Sequence, residues 1–160
     1  MLLYLRIGRQ MIRIGGMKRL LMIGTIMLFS VILAACGNTV PTQTAEPQQV
    51  QVNGGSYWDI TPAQLSPMLE HKDFLFINVH IPYGGELPQT DLFVPYNEIE
   101  ENLSKLPKEM NAKIIVYCRS GSMSAIAARE LVKLGFTNVS NLAGGMVEWE
   151  KQAYELIRKP

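Results

Sequence analysis

Two short stretches dictate what this chain can fold into. Phe74-Leu75-Phe76-Ile77-Asn78-Val79 and Lys113-Ile114-Ile115-Val116-Tyr117 are apolar at nearly every position. A strand with one wet face would alternate apolar and polar side chains, so these two strands must be covered on both sides. Helix signals surround them. Thr61-Pro62-Ala63-Gln64 offers an N-cap, a proline in the first turn and a glutamine three residues after the cap, which opens a helix to about Glu70. Asn97 with Glu100 marks a second helix start, and Leu106-Pro107 ends that element. From Ser122 to Leu134, Met123, Ala127, Leu131 and Leu134 recur at helical spacing, with Gly135 placed to close the helix. Phe136 to Leu142 predicts a further strand, and Met146 to Ile157 a last helix after the Gly144-Gly145 turn. Strands separated by helices predict a parallel sheet with helices on both faces, whose site lies at the carboxyl ends of the strands.

The residues ahead of this body are of another kind. After Lys18-Arg19 comes an apolar run of 14 residues, Leu20 to Leu33, and then Ala34-Ala35-Cys36. Basic start, apolar run and small residues together read as a secretory signal peptide over residues 1–35, shorter than the roughly 20 residues a membrane-spanning helix requires. Met17 stands just before the basic pair, so the sequence offers two starts, Met1 and Met17. Leu33-Ala34-Ala35-Cys36 resembles the lipobox of bacterial lipoproteins. That resemblance implies cleavage after Ala35, lipidation of Cys36 with diacylglyceryl and palmitate-type acyl chains, and a mature chain of 125 residues lipid-anchored to the cell membrane on its extracytoplasmic side. Residues 36–55, polar and poor in large aliphatics, read as the lipidated Cys36 plus a flexible tether. The folded domain is then 56–160.

Charge narrows the partners. Every charged residue among the first 35 is basic (Arg6, Arg9, Arg13, Lys18, Arg19), while the remainder holds 10 basic against 14 acidic side chains. An acidic body lacks the footprint for non-specific nucleic-acid binding. With two Cys and two His in 160 residues, no Cys/His zinc spacing forms, and no metal or organic cofactor is implied.

The chemistry-bearing stretch is Val116-Tyr117-Cys118-Arg119-Ser120-Gly121-Ser122-Met123-Ser124-Ala125, a buried strand feeding a tight loop and a helix. Gly and Ser let the loop curl so that successive amide N–H groups face one point, and the helix start adds positive potential there. Cys118 is placed to be the negative group, because a thiolate at a helix N-terminus beside an Arg can have its pKa lowered from about 8.5 into the range of roughly 3.5 to 7.5. If Cys36 is lipidated, Cys118 has no intramolecular partner, and dithiol chemistry is excluded. A lone thiolate can still hold a sulfur atom as a persulfide.

Over about residues 57 to 154 the chain resembles the rhodanese-like sulfurtransferase domain. The resemblance rests on Ile60-Thr61-Pro62-Ala63-Gln64-Leu65, Phe76-Ile77-Asn78-Val79-His80, Val94-Pro95-Tyr96-Asn97-Glu98-Ile99, Tyr117-Cys118-Arg119-Ser120-Gly121, Leu134-Gly135-Phe136-Thr137-Asn138-Val139, and Leu142-Ala143-Gly144-Gly145-Met146 with Trp149. It implies a three-layer α/β/α fold with a central parallel sheet of about five strands. It also implies sulfur transfer from thiosulfate or another sulfane donor to a thiophilic acceptor, with Cys118 as persulfide carrier. Arg119, Ser120, Gly121, Ser122, Met123 and Ser124 become the substrate-binding loop, and His80 a pocket residue. The implied partners are a small sulfur-containing anion or a thiol acceptor, and the implied state is a monomer.

Three departures qualify the activity. The family loop is usually Cys-x-x-Gly-x-Arg, whereas Met123 holds the sixth position here, leaving Arg119 as the loop's cation. The strand that usually ends Asp-Val-Arg ends Asn78-Val79-His80. The segment after it lacks the usual Gly-His-Ile-Pro-Gly-Ala pattern. Thiosulfate is put in question by these changes more than persulfide formation is. A second reading is therefore a catalytically weak or inactive binding module that has lost the loop Arg. Phosphatases of the same fold use a longer loop with Arg at the seventh position, where this chain has Ser124.

Overall fold

A computed structural model describes residues 46–157. The expected signal segment and the proposed lipidation site Cys36 lie outside the described residues. A six-stranded sheet runs in the order β1-β2-β6-β5-β3-β4, with strands β1 (Gln48–Val52), β2 (Gly55–Ile60), β3 (Leu75–Asn78), β4 (Leu92–Phe93), β5 (Ile114–Tyr117) and β6 (Val139–Leu142). Only β1 and β2 pair antiparallel; every other neighbouring pair is parallel.

The two apolar runs form adjacent central strands, β3 and β5, in the register Leu75–Ile114 through Asn78–Tyr117. Their side chains feed two cores by simple alternation. On one face Ile114, Val116 and Cys118 join Ile77, Val79 and Val139 beneath helix α2 (Ser122–Lys133), which contributes Ala127, Ala128, Leu131 and Val132. On the other, Ile115 and Tyr117 join Phe76 and Leu142 beneath α1 (Pro62–Glu70) and α3 (Gly145–Lys151), which contribute Leu65, Leu69, Met146 and Trp149. Fully burying each such aliphatic side chain contributes on the order of 1.5 to 3 kcal/mol. The sheet covered by helices on both faces is thus the expected one. The capping box at Thr61 is also formed, its hydroxyl receiving Gln64 N–H while Gln64 Oε1 receives Thr61 N–H.

The sheet holds five parallel strands, the number expected, and β1 adds a sixth, antiparallel one. Three expectations need correction. The stretch 48–55 is not tether: β1 pairs with β2 across the turn at Asn53-Gly54, and Val50 and Val52 pack on the core. Alternating valines between glutamines were the signal, and they mark a strand with one wet face. The helix expected from Asn97 is a 3-10 helix, Glu100–Lys105, without a side-chain cap. Asn102 leaves helical geometry there, and its Nδ2 joins its backbone N–H in donating to Glu98 O. The last helix stops at Lys151 rather than Ile157. Ala153 turns to a φ of 61°, Trp149 Nε1–H donates to Glu155 O, and Ile157 pairs with Glu86 on the loop after β3.

Candidate active site

β5 runs directly into Cys118, and α2 begins four residues later at Ser122. The turn between them depends on Gly121, whose φ of 90° is left-handed and whose Cβ would come within 2.9 Å of Gly144 N. The Cys118 side chain is 1% exposed and sits on the core side of the loop. Its Sγ accepts Gly121 N–H at 3.1 Å and lies 3.4 Å from Ser124 Oγ. The sequence predicts several amides converging here; one amide and one hydroxyl are what reach the sulfur. Both stabilise negative charge on it.

The loop residues divide between two surroundings. Arg119, Ser120 and Ser122 are exposed, and the two serine hydroxyls stand 3.4 Å apart. Gly121 and Ser124 are buried. Ser124 Oγ also stands 3.1 Å from Gly121 O, so its single proton serves the carbonyl or the sulfur. Met123, where a cation would be usual, is half-buried against the core.

A second element grips the loop from behind. Met146 N–H donates to Cys118 O and Val147 N–H to Arg119 O, each at 3.0 Å, so the first turn of α3 holds the loop's backbone. This fit leaves no space for a side chain at Gly145. A Cβ there would collide with the Cys118 carbonyl oxygen, and its φ is 55°. Gly144-Gly145 reads from sequence as a turn; the contact with Cys118 adds a second reason for glycine.

His80 lies two residues past the end of β3, whose last residue Asn78 pairs with Tyr117, the residue before Cys118, and it stands within reach of the Arg119 charge. Burial, then the Arg119 charge, lower its pKa below the ordinary histidine value, so the imidazole is neutral at pH 7. Its Nδ1 is buried without a hydrogen-bond partner among the described residues. Asn78, which the sequence marks only as a departure from an expected Asp, receives His80 N–H at Oδ1 and gives Nδ2–H to Gly85 O. Tyr117, pushed up to about 12 by burial, keeps its hydroxyl proton and bridges Leu87 N–H and Thr90 Oγ1.

Residues 70–152 match the model of the rhodanese-like domain. The chain belongs to that family. A sulfurtransferase from Allochromatium vinosum is 29% identical over 103 residues, covering 62% of this chain and 94% of its own length. A probable adenylyltransferase/sulfurtransferase MoeZ from Mycobacterium tuberculosis is 34% identical over 98 residues, covering 58% of this chain. The matched part is 24% of that longer protein. Among solved structures, a rhodanese-related protein from Thermoplasma volcanium superposes with a TM-score of 0.54 at 25% identity, covering 63% of this chain and 98% of that one. A rhodanese-like domain with sulfurtransferases among its relatives supports a role in sulfur transfer.

Proposed function

We propose that this rhodanese-like domain is a sulfurtransferase that carries sulfane sulfur as a persulfide on Cys118. The observation that carries the reading is the placement of Cys118 Sγ against Gly121 N–H and Ser124 Oγ at the start of α2. In the first step the thiolate attacks the outer sulfur of a donor. The donor's S–S bond breaks, its remaining sulfur leaves with the bonding electron pair, and a Sγ–S bond forms. In the second step an acceptor thiolate attacks the terminal sulfur. The Sγ–S bond breaks, the acceptor leaves as its persulfide, and the Cys118 thiolate returns with no external oxidant or reductant. The two hydrogen-bond donors stabilise the anionic sulfur at the start and end of this cycle. Arg119 faces solvent at the loop and attracts an anionic donor, while the neutral imidazole of His80 beside it offers a polar contact to the incoming thiol.

The donor suited to this loop is an organic persulfide more than thiosulfate. Met123 supplies no charge where a dianion would gain most from a second cation. The protein acts as a monomer, and Cys36 carries the lipid that anchors it to the cell membrane outside the cytoplasm. Mass analysis of the mature amino terminus tests the anchor: a first residue other than lipidated Cys36 rejects it.

A binding module without turnover is the second reading, favoured by Met123 and by the near-complete burial of Cys118. Steady-state sulfur transfer by wild type and Cys118→Ser separates the two. The sulfurtransferase reading expects turnover that the substitution abolishes; a module that never turns over but binds sulfur anions equally well in both forms supports the alternative.

A further inference from the structure

We infer that Asn78 is a positioning residue for sulfur transfer, holding His80 beside the Cys118 loop through a two-way hydrogen bond that a carboxylate cannot make. The inference rests on the sulfurtransferase reading. Asn78 is fully buried at the end of β3, and its backbone carbonyl accepts Val94 N–H at 3.0 Å. Its side chain then joins the two ends of the loop that leaves the strand. Oδ1 accepts His80 N–H at 3.0 Å and Nδ2 donates to Gly85 O at 2.9 Å. The loop closed in this way brings Gly84 against the imidazole: a Cβ at Gly84 would stand 3.3 Å from His80 Cδ2.

The chemistry requires an amide. Aspartate has the same shape but, ionised, only accepts hydrogen bonds, so it would keep the His80 contact and set an anion against the Gly85 carbonyl. The far side of the loop is held independently. Glu86 and Ile157 exchange both backbone hydrogen bonds, Leu87 N–H meets Tyr117 Oη at 2.9 Å, and Tyr83 packs edge-on against Phe93. Loss of the Asn78 bridge therefore frees His80 without dismantling the loop. Cys118 draws its hydrogen bonds from Gly121 and Ser124, so the sulfur's own surroundings stay as they are.

The test compares Asn78→Asp, Asn78→Ala, His80→Ala and the Asn78→Asp/His80→Ala double variant in the whole protein, with glutathione persulfide as donor and a small thiol as acceptor. Asn78→Asp and His80→Ala should each lower transfer about tenfold, and the double variant should fall no further than His80→Ala alone. Iodoacetamide should alkylate Cys118 in Asn78→Asp within about twofold of the wild-type rate. The inference is overturned by full transfer in His80→Ala, by losses that multiply in the double variant, or by alkylation that slows as much as transfer. A further readout needs no turnover. The His80 imidazole, followed by NMR, should titrate closer to an ordinary histidine in Asn78→Ala than in wild type, because the released ring gains water. An unchanged titration overturns the placement of His80 by Asn78. Absence of transfer in wild type, with that titration shift present, rejects the sulfurtransferase reading and leaves the placement standing.

Discussion

The hydroxyl of Ser124 stands 3.4 Å from the sulfur of Cys118, in the first turn of the helix that Gly121 caps. Helix α2 thus delivers two donors to one sulfur, Gly121 N–H from its cap and Ser124 from its first turn. Replacing Ser124 by Ala removes one of them. A single hydrogen bond to a charged group contributes about 1.5 to 3 kcal/mol, so alkylation of Cys118 at neutral pH should slow by roughly tenfold or more. Rates with iodoacetamide for folded wild type and Ser124→Ala measure this.

Gly145→Ala should destabilise the fold. The added methyl collides with the Cys118 carbonyl and with Arg119, and the residue sits at a φ of 55°. Backbone is the obstacle, so relief requires α3 to move away from the loop. A loss of about 2 to 4 kcal/mol is expected, read as a lower denaturation midpoint at unchanged slope. Stability equal to wild type would contradict the close approach of these segments.

Met123→Arg should raise kcat/KM for thiosulfate by about tenfold and leave an uncharged sulfane donor within about twofold, since only the dianion gains from a second cation. Equal changes for both donors would count against the account of donor preference.

His80 makes a definite contribution to stability against pH. Its folded pKa lies below the ordinary value, so the unfolded chain binds its proton more readily. Its contribution is present above the ordinary value, near pH 6.5, and is lost as pH falls through the lowered one. The stability difference between wild type and His80→Gln should therefore move against wild type between about pH 7 and pH 5. Chemical denaturation at both pH values gives the difference, and a gap that does not change with pH would show that the imidazole titrates as it does in the unfolded chain.

The sheet and the loop were legible because their signals are local. The runs at 74–79 and 113–117 have no wet face, and Thr61 with Gln64 announces its helix by side-chain chemistry alone. The Cys118 loop was legible for the same reason, through Gly121 between a strand and a helix. What stayed hidden depends on distant partners. β4 exists because Leu92 and Phe93 pair with Ile77 and Asn78, and two residues carry no periodicity. Asn78 is a polar residue in an apolar run, and only the loop folding back to Gly85 gives it a role. The turn after α3 is fixed by Trp149 reaching Glu155 O and by Ile157 reaching Glu86, contacts that helix propensity does not encode.

The most direct measurement is the intact mass of the protein after exposure to a sulfane donor and removal of the excess. Wild type should gain one sulfur atom, lose it on adding a thiol acceptor, and gain none in the Cys118→Ser form. A wild-type mass that stays unchanged, or a gain that persists in Cys118→Ser, would contradict sulfur carriage at this cysteine.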